Sequence, residues 1–92
     1  DYATYCAAEV PREAALFLVD HRDQFLANRA AGLFDGYPDP ADSIGGAILA
    51  ATPRPAGRVV ITHLGVGLAD LVFADAILRN AAAAGLGTTL RR

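Results

Sequence analysis

Two glycines one residue apart, Gly65 and Gly67, follow the β-branched run Val59, Val60, Ile61 and Thr62. β-branched side chains pack well on a pleated surface, so the spacing reads as strand, tight turn, helix. That is how a dinucleotide-binding turn opens, yet Asp70 stands where the third glycine of G-x-G-x-x-G belongs. A carboxylate there brings the wrong sign towards a pyrophosphate. The acid that takes a ribose about 20 residues later is also missing, since the chain reads Leu90, Arg91, Arg92 at that distance. Three chemistries remain open for the turn: a cofactor loop, a packing turn, or a turn that needs a carboxylate.

Several other side chains have reactive groups. His63 ends the strand, and open α/β sheets hold ligands at strand ends that precede helices. A neutral imidazole there can bond a carboxamide or carboxylate, or simply face solvent. On a helix over 67–84, Asp75 and Arg79 lie four apart with the acid first, a favourable surface pair. Asp70 falls on the other side, near Phe73, Ala74 and Ile77, where it is either a first-turn acid meeting free N–H groups or a carboxylate that orients a partner. Cys6 reads as a small apolar residue, and Ser43 lacks a nucleophile-elbow context. Two histidines, one cysteine and scattered acids give no metal-ligand spacing. Arg54 and Arg58 flank a proline-rich turn and read as solvated.

Bulk properties narrow the classes. The chain has 92 residues, enough for one small domain, and is 53% hydrophobic, which excludes a disordered tail. Its net charge of −2 offers no basic field for nucleic acid or anionic lipid. Arginine supplies every basic residue, so neither a phosphate-loop lysine nor a Schiff-base lysine is available. A single cysteine forms no internal disulfide, which fits a reducing, cytoplasmic compartment. No apolar run approaches the roughly 20 residues that span a bilayer.

The elements that position these groups follow from pattern. A short helix is expected around "VPREAA", with Pro11 in its first turn. The apolar run 15–20 reads as a buried strand closed by Asp20, which would cap a helix over 21–34. The stretch 35–43 is turn chemistry. Asp42 or Ser43 would cap a short helix, "IGGAILAA", whose glycines make it either weak or closely packed. A strand over 59–64 and a long helix over 67–84 follow, "GLG" stops the helix, and "TTLRR" is a candidate final strand. Alternation of this kind predicts an α/β layered fold. Two or three strands leave open sheet edges, and no methionine opens the chain, so it reads as the tail of a larger α/β protein.

Residues 16–90 resemble the C-terminal part of the ornithine cyclodeaminase / μ-crystallin family. The resemblance is carried by "LFLVDHRDQFLANRAAGLF" and by "SIGGAILAATPRPAGRVVITHLGVGLADLVFADAILRNAAAAGLGTTL". The family has a strand ending in an acid, a helix, a short "LGEVLAG"-like helix, a strand, and then G-x-A-x-x-D-x-x-A-A on a long helix. Here that last signature is Gly67, Leu68, Ala69 and Asp70, with Ala74 and Ala76 further on. Two departures stand out. The family's strand often ends Lys-Ser-x-Gly or Asp-Ser-x-Gly, whereas this chain has Thr62-His63-Leu64-Gly65, so the serine's polar contact would pass to His63. The family's catalytic aspartate sits in Gly-x-Asp-x-Pro-Gly-Lys; Asp1 matches by position alone, because Tyr-Ala-Thr-Tyr follows it. The missing lysine points to a substrate other than ornithine, or to a divergent member.

The resemblance implies an α/β chain that is the C-terminal portion of a Rossmann-type NAD(P)-binding domain, residues 1–66. A long helix and final strand, residues 67–92, would lead back to a substrate and dimerisation domain. It implies NAD or NADP as cofactor, a small amino-acid or imino-acid substrate, and a homodimer. Asp1 would be the catalytic proton shuttle. Thr62, His63, Leu64 and Gly65 would contact the cofactor, with Leu64 and Gly65 also touching substrate. The turn would then lie beside the nicotinamide, its small residues letting the backbone approach a planar ring. The rival expectation is a non-catalytic binding or dimerisation module built on the alanine-rich helix.

Overall fold

The computed structural model describes residues 6–91. Its elements are α1 (Glu9–Arg12), β1 (Leu16–Val19), α2 (Arg22–Ala30), β2 (Asp42–Ser43), α3 (Ile44–Leu49), β3 (Val59–Thr62) and α4 (Gly67–Ala83). The three strands form one parallel sheet in the order β2-β1-β3. The chain is therefore mixed α/β, with a small parallel sheet.

Register decides which residues face which layer. Leu16 pairs with Val59, Phe17 with Val60, Leu18 with Ile61 and Val19 with Thr62. Alternation along a strand puts Phe17, Val19, Val60 and Thr62 on one face and Leu16, Leu18, Val59 and Ile61 on the other. The first face carries the core. Phe25 of α2 is fully buried against it, with Phe17, Val19, Phe34 and Tyr37. Phe17 meets Phe25 edge-on at 5.6 Å, and Phe25 meets Phe34 at 5.1 Å, separations at which aromatic pairs gain beyond their buried area. On the second face, α3 contributes Ile44, Ala47 and Ile48 to an open groove of about 490 Å³ with Leu16, Leu18, Val59 and Ile61. Helices thus lie on both faces, as a parallel sheet requires, but the second face is only partly covered.

Helix ends follow local chemistry. Expected over 21–34, α2 stops at Ala30. Gly32 at φ +95° closes it, with Leu33 N–H bonded to Asn28 O and Gly32 N–H to Arg29 O. The following residues fold back and bury Phe34, at a positive φ of 53°, in the aromatic cluster. Arg29 lies over the Phe25 ring, donates to Tyr37 O at 3.0 Å and pairs with Asp39, whose carboxyl it holds below the usual carboxylate range. Ser43 caps α3, accepting from Gly46 N–H at 3.0 Å. Gly46 is closely packed, because a Cβ there would collide with the Asp42 carboxylate, whereas Gly45 faces open space.

Three expectations are corrected. His21, not Asp20, caps α2, its Nδ1 accepting from Gln24 N–H at 3.2 Å, because the Asp20 carboxylate is engaged elsewhere. Asp42 and Ser43 also pair with Leu18 and Val19 as a third strand too short to leave a periodic trace. Residues 88–91 form no strand, and Thr88 and Thr89 lie near the end of α4, beside Leu78, Ala81 and Ala82.

α4 has an unusual environment. None of its residues is buried, and Leu68, Leu71, Val72, Phe73, Ile77 and Leu78 are each more than 60% exposed. Its exposed apolar side chains are interspersed with Asp70, Asp75, Arg79 and Asn80. The total accessible surface is 6864 Å²; a compact monomer of this mass exposes roughly 5,100 Å². Among the described residues no helix is long and apolar enough to cross a membrane.

Candidate functional site at the β1 and β3 ends

From β1 the chain steps to β2 through α2 on one face, then returns past β1 to β3 through α3 on the other. The strand order therefore reverses between β1 and β3. In open parallel sheets the crevice beyond the carboxyl ends of such a strand pair is where ligands bind. Two segments meet there: Val19-Asp20-His21 after β1 and Thr62-His63-Leu64-Gly65 after β3.

Asp20 joins them. Its side chain is only 6% exposed. Oδ2 accepts from Leu64 N–H at 2.9 Å and from Gly65 N–H at 2.8 Å, while Oδ1 accepts from His21 N–H at 2.9 Å. Three backbone donors converge on one carboxylate, which satisfies the burial of a group that would otherwise be costly to desolvate. The backbone of Asp20 also donates to Thr62 O at 3.3 Å, continuing the sheet by one residue.

The four turn residues have different roles. Thr62 is buried, 3% exposed, on the core face of the sheet. Leu64 packs its side chain against the core cluster. Gly65 holds φ at +91°, a left-handed value that any Cβ would strain, although a Cβ there would meet nothing within 4 Å. His63 is the residue of the four that presents its side chain, 64% exposed, with Nδ1 4.0 Å from Asp20 Oδ2. That distance is beyond a hydrogen bond and within electrostatic reach.

An apolar cleft of about 380 Å³ opens beside the turn. Asp20 and His21 form its polar end, and Val66, Leu68, Ala69, Val72 and Phe73 of the α4 start form its walls. Asp70 lies in the first turn of α4, exposed to solvent together with the rest of that helix. Asp75 and Arg79 form the expected pair along α4.

Asp1 lies outside the described residues. Cys6 has a different neighbour from either histidine: its Sγ is 2.9 Å from the Tyr37 hydroxyl, which donates to Cys6 O at 2.8 Å. Burial and the nearby thiol push the Tyr37 phenol up to about 12. Among the described residues no group of three or more histidine, cysteine or acidic side chains is placed to hold a metal ion.

Asp20 is the site residue that sequence pattern missed. An acid between a strand and a helix reads first as a cap, and its partners lie 44 and 45 positions away. Comparison of the chain with protein-family models, curated proteins and solved structures gave no match.

Proposed function

We propose that this chain forms the C-terminal portion of a Rossmann-type domain in an NAD(P)-dependent enzyme that acts on an α-amino or imino acid. Such an enzyme would be similar to the ornithine cyclodeaminase / μ-crystallin family. The observation that carries this reading is the reversal of strand order between β1 and β3, with residues 62–65 at the carboxyl end of that pair. The residues fit one end of a nicotinamide cofactor. The cleft is apolar and open, and a Cβ at Gly65 would meet nothing within 4 Å, so the backbone of the neighbouring turn is uncovered.

When bound, the cofactor supplies hydride exchange between its nicotinamide and the substrate Cα. The chain's own residues position the reactants. Asp20 fixes the turn, the backbone at Leu64 and Gly65 offers a close approach, and the exposed His63 imidazole offers a polar contact to a carboxamide or carboxylate. Asp1 is the proposed proton carrier at the amine or imine. The pyrophosphate seat would belong to a glycine fingerprint outside these residues.

The test is titration of the intact gene product, purified as its source makes it, with NADH and NADPH. Binding read by nicotinamide fluorescence, with loss of affinity in His63→Ala, supports the reading. No binding of either cofactor sinks it.

The exposed apolar surface of α4 favours a second reading: an interaction module in which the alanine-rich helix packs on a partner helix. It predicts association with no cofactor affinity, so the same titration, read beside the oligomeric state, separates the two.

A further inference from the structure

We infer that Asp20 is a built-in anion that occupies the anion seat of the switch point, so that the cleft beside it takes an uncharged planar ring and refuses phosphate. Converging backbone N–H groups near helix starts form the usual cradle for phosphate in α/β proteins. Here α2 begins two residues after Asp20 and α4 two residues after Gly65. The donors of that cradle, His21, Leu64 and Gly65 N–H, are all directed at the Asp20 carboxylate. A phosphate arriving from outside would find those donors used and a negative charge in place.

The walls of the cleft are the side chains of Val66, Leu68, Ala69, Val72 and Phe73, with no lysine or arginine in the lining and the His21 imidazole beside Asp20 at its polar end. They suit a ring rather than a sugar phosphate. Oδ1 of Asp20 accepts one hydrogen bond from the backbone and keeps acceptor capacity. A ring bearing a carboxamide, whose N–H₂ donates, matches that combination. The identity of the ring as nicotinamide rests on the reading above; the exclusion of phosphate does not.

The experiment follows the amide resonances of His21, His63, Leu64 and Gly65 in the wild-type protein and in Asp20→Ala. The probes are inorganic phosphate and, separately, nicotinamide. Phosphate is expected to bind the variant at these amides at least about tenfold more tightly than the wild type. Equal affinity in the two, or a folded variant that ignores phosphate, overturns the inference. Should Asp20→Ala fail to fold, hydrogen exchange in the wild type decides: protected Leu64 and Gly65 amides support the occupied seat, and exchange at open-loop rates overturns it. Nicotinamide is expected to shift the amides of His21, Val66 and Leu68, which line the cleft, in the wild type. Silence there, with the phosphate result intact, removes the ring and leaves the role of Asp20 standing.

Discussion

The Asp20 carboxylate and the Gly65 amide lie 2.8 Å apart across 45 positions of sequence. Together with the bond from Leu64, this contact ties the end of β1 to the turn after β3, beyond the last ladder pair of the two strands. Removing the acceptor leaves the half-buried Leu64 N–H without a partner and hands the exposed His21 and Gly65 N–H groups to water, which costs about 1 kcal/mol. Asp20→Ala should therefore lower the unfolding free energy from urea titration by that amount, with a matching fall in the midpoint, and Asp20→Asn, which keeps one acceptor oxygen, by less. Midpoints equal to wild type would mean that the turn holds its shape without this side chain.

The two glycines of the opening motif should part company on substitution. Gly65 sits at φ +91°, so Gly65→Ala forces a left-handed conformation worth about 1–2 kcal/mol of destabilisation. Gly67 starts α4, and nothing lies within 4 Å of where its Cβ would be. Gly67→Ala should be neutral or stabilise by up to about 1 kcal/mol. Thermal unfolding of the pair checks both signs.

Ala51 offers a gain in the other direction. It follows α3 at φ 50°, with Ala51 N–H bonded to Ile48 O and Thr52 N–H to Ala47 O, a helix ending that glycine adopts without strain. Ala51→Gly should stabilise the fold by about 1 kcal/mol despite removing a methyl group from an exposed position. A loss of stability would show that the methyl makes a contact that outweighs the backbone strain.

Tyr37 sets an alkaline limit. Burial and the Cys6 thiol raise its phenol from the ordinary value of 10.0 to about 12. Below pH 10 both folded and unfolded chains keep the proton, and the contribution is fully present. Between 10 and 12 the unfolded chain releases it while the folded chain retains it, so stability falls as pH rises. Tyr37→Phe should flatten that decline. Tyrosinate absorbance, taken as the difference between wild type and Tyr37→Phe, should show one late-titrating phenol.

The layered α/β plan was legible from the residues, and so was the end of α4, whereas α2 stops four residues before its expected end. β-branched runs at Val59–Thr62 and the apolar run at 15–20 mark strands because their side chains suit a pleated, buried surface. Gly32 and Gly85 mark helix ends through their positive φ. The Asp75–Arg79 pair was visible as a local spacing. β2 was not, because two residues carry no period. The role of Asp20 was not, because a carboxylate at a strand end satisfies a helix start equally well on paper; only the long-range geometry directs it to Leu64 and Gly65. The positive φ of Phe34 is invisible as well, in a turn whose Tyr37 N–H bonds Phe34 O while the ring packs in the aromatic cluster.

The isolation of α4 bears on how the chain loses its structure. With no buried side chain, the 17-residue helix draws its order from its own hydrogen-bond ladder, which is marginal in water even for alanine-rich segments of this length. In the free chain the far-ultraviolet helical signal should fade on warming before the near-ultraviolet signal of Phe17, Phe25, Phe34 and Tyr37, in two separate steps. Once a protein surface covers α4, the two signals should merge into a single cooperative transition. Coincidence of melting curves thereby becomes a direct readout of whether this helix is packed on another protein surface.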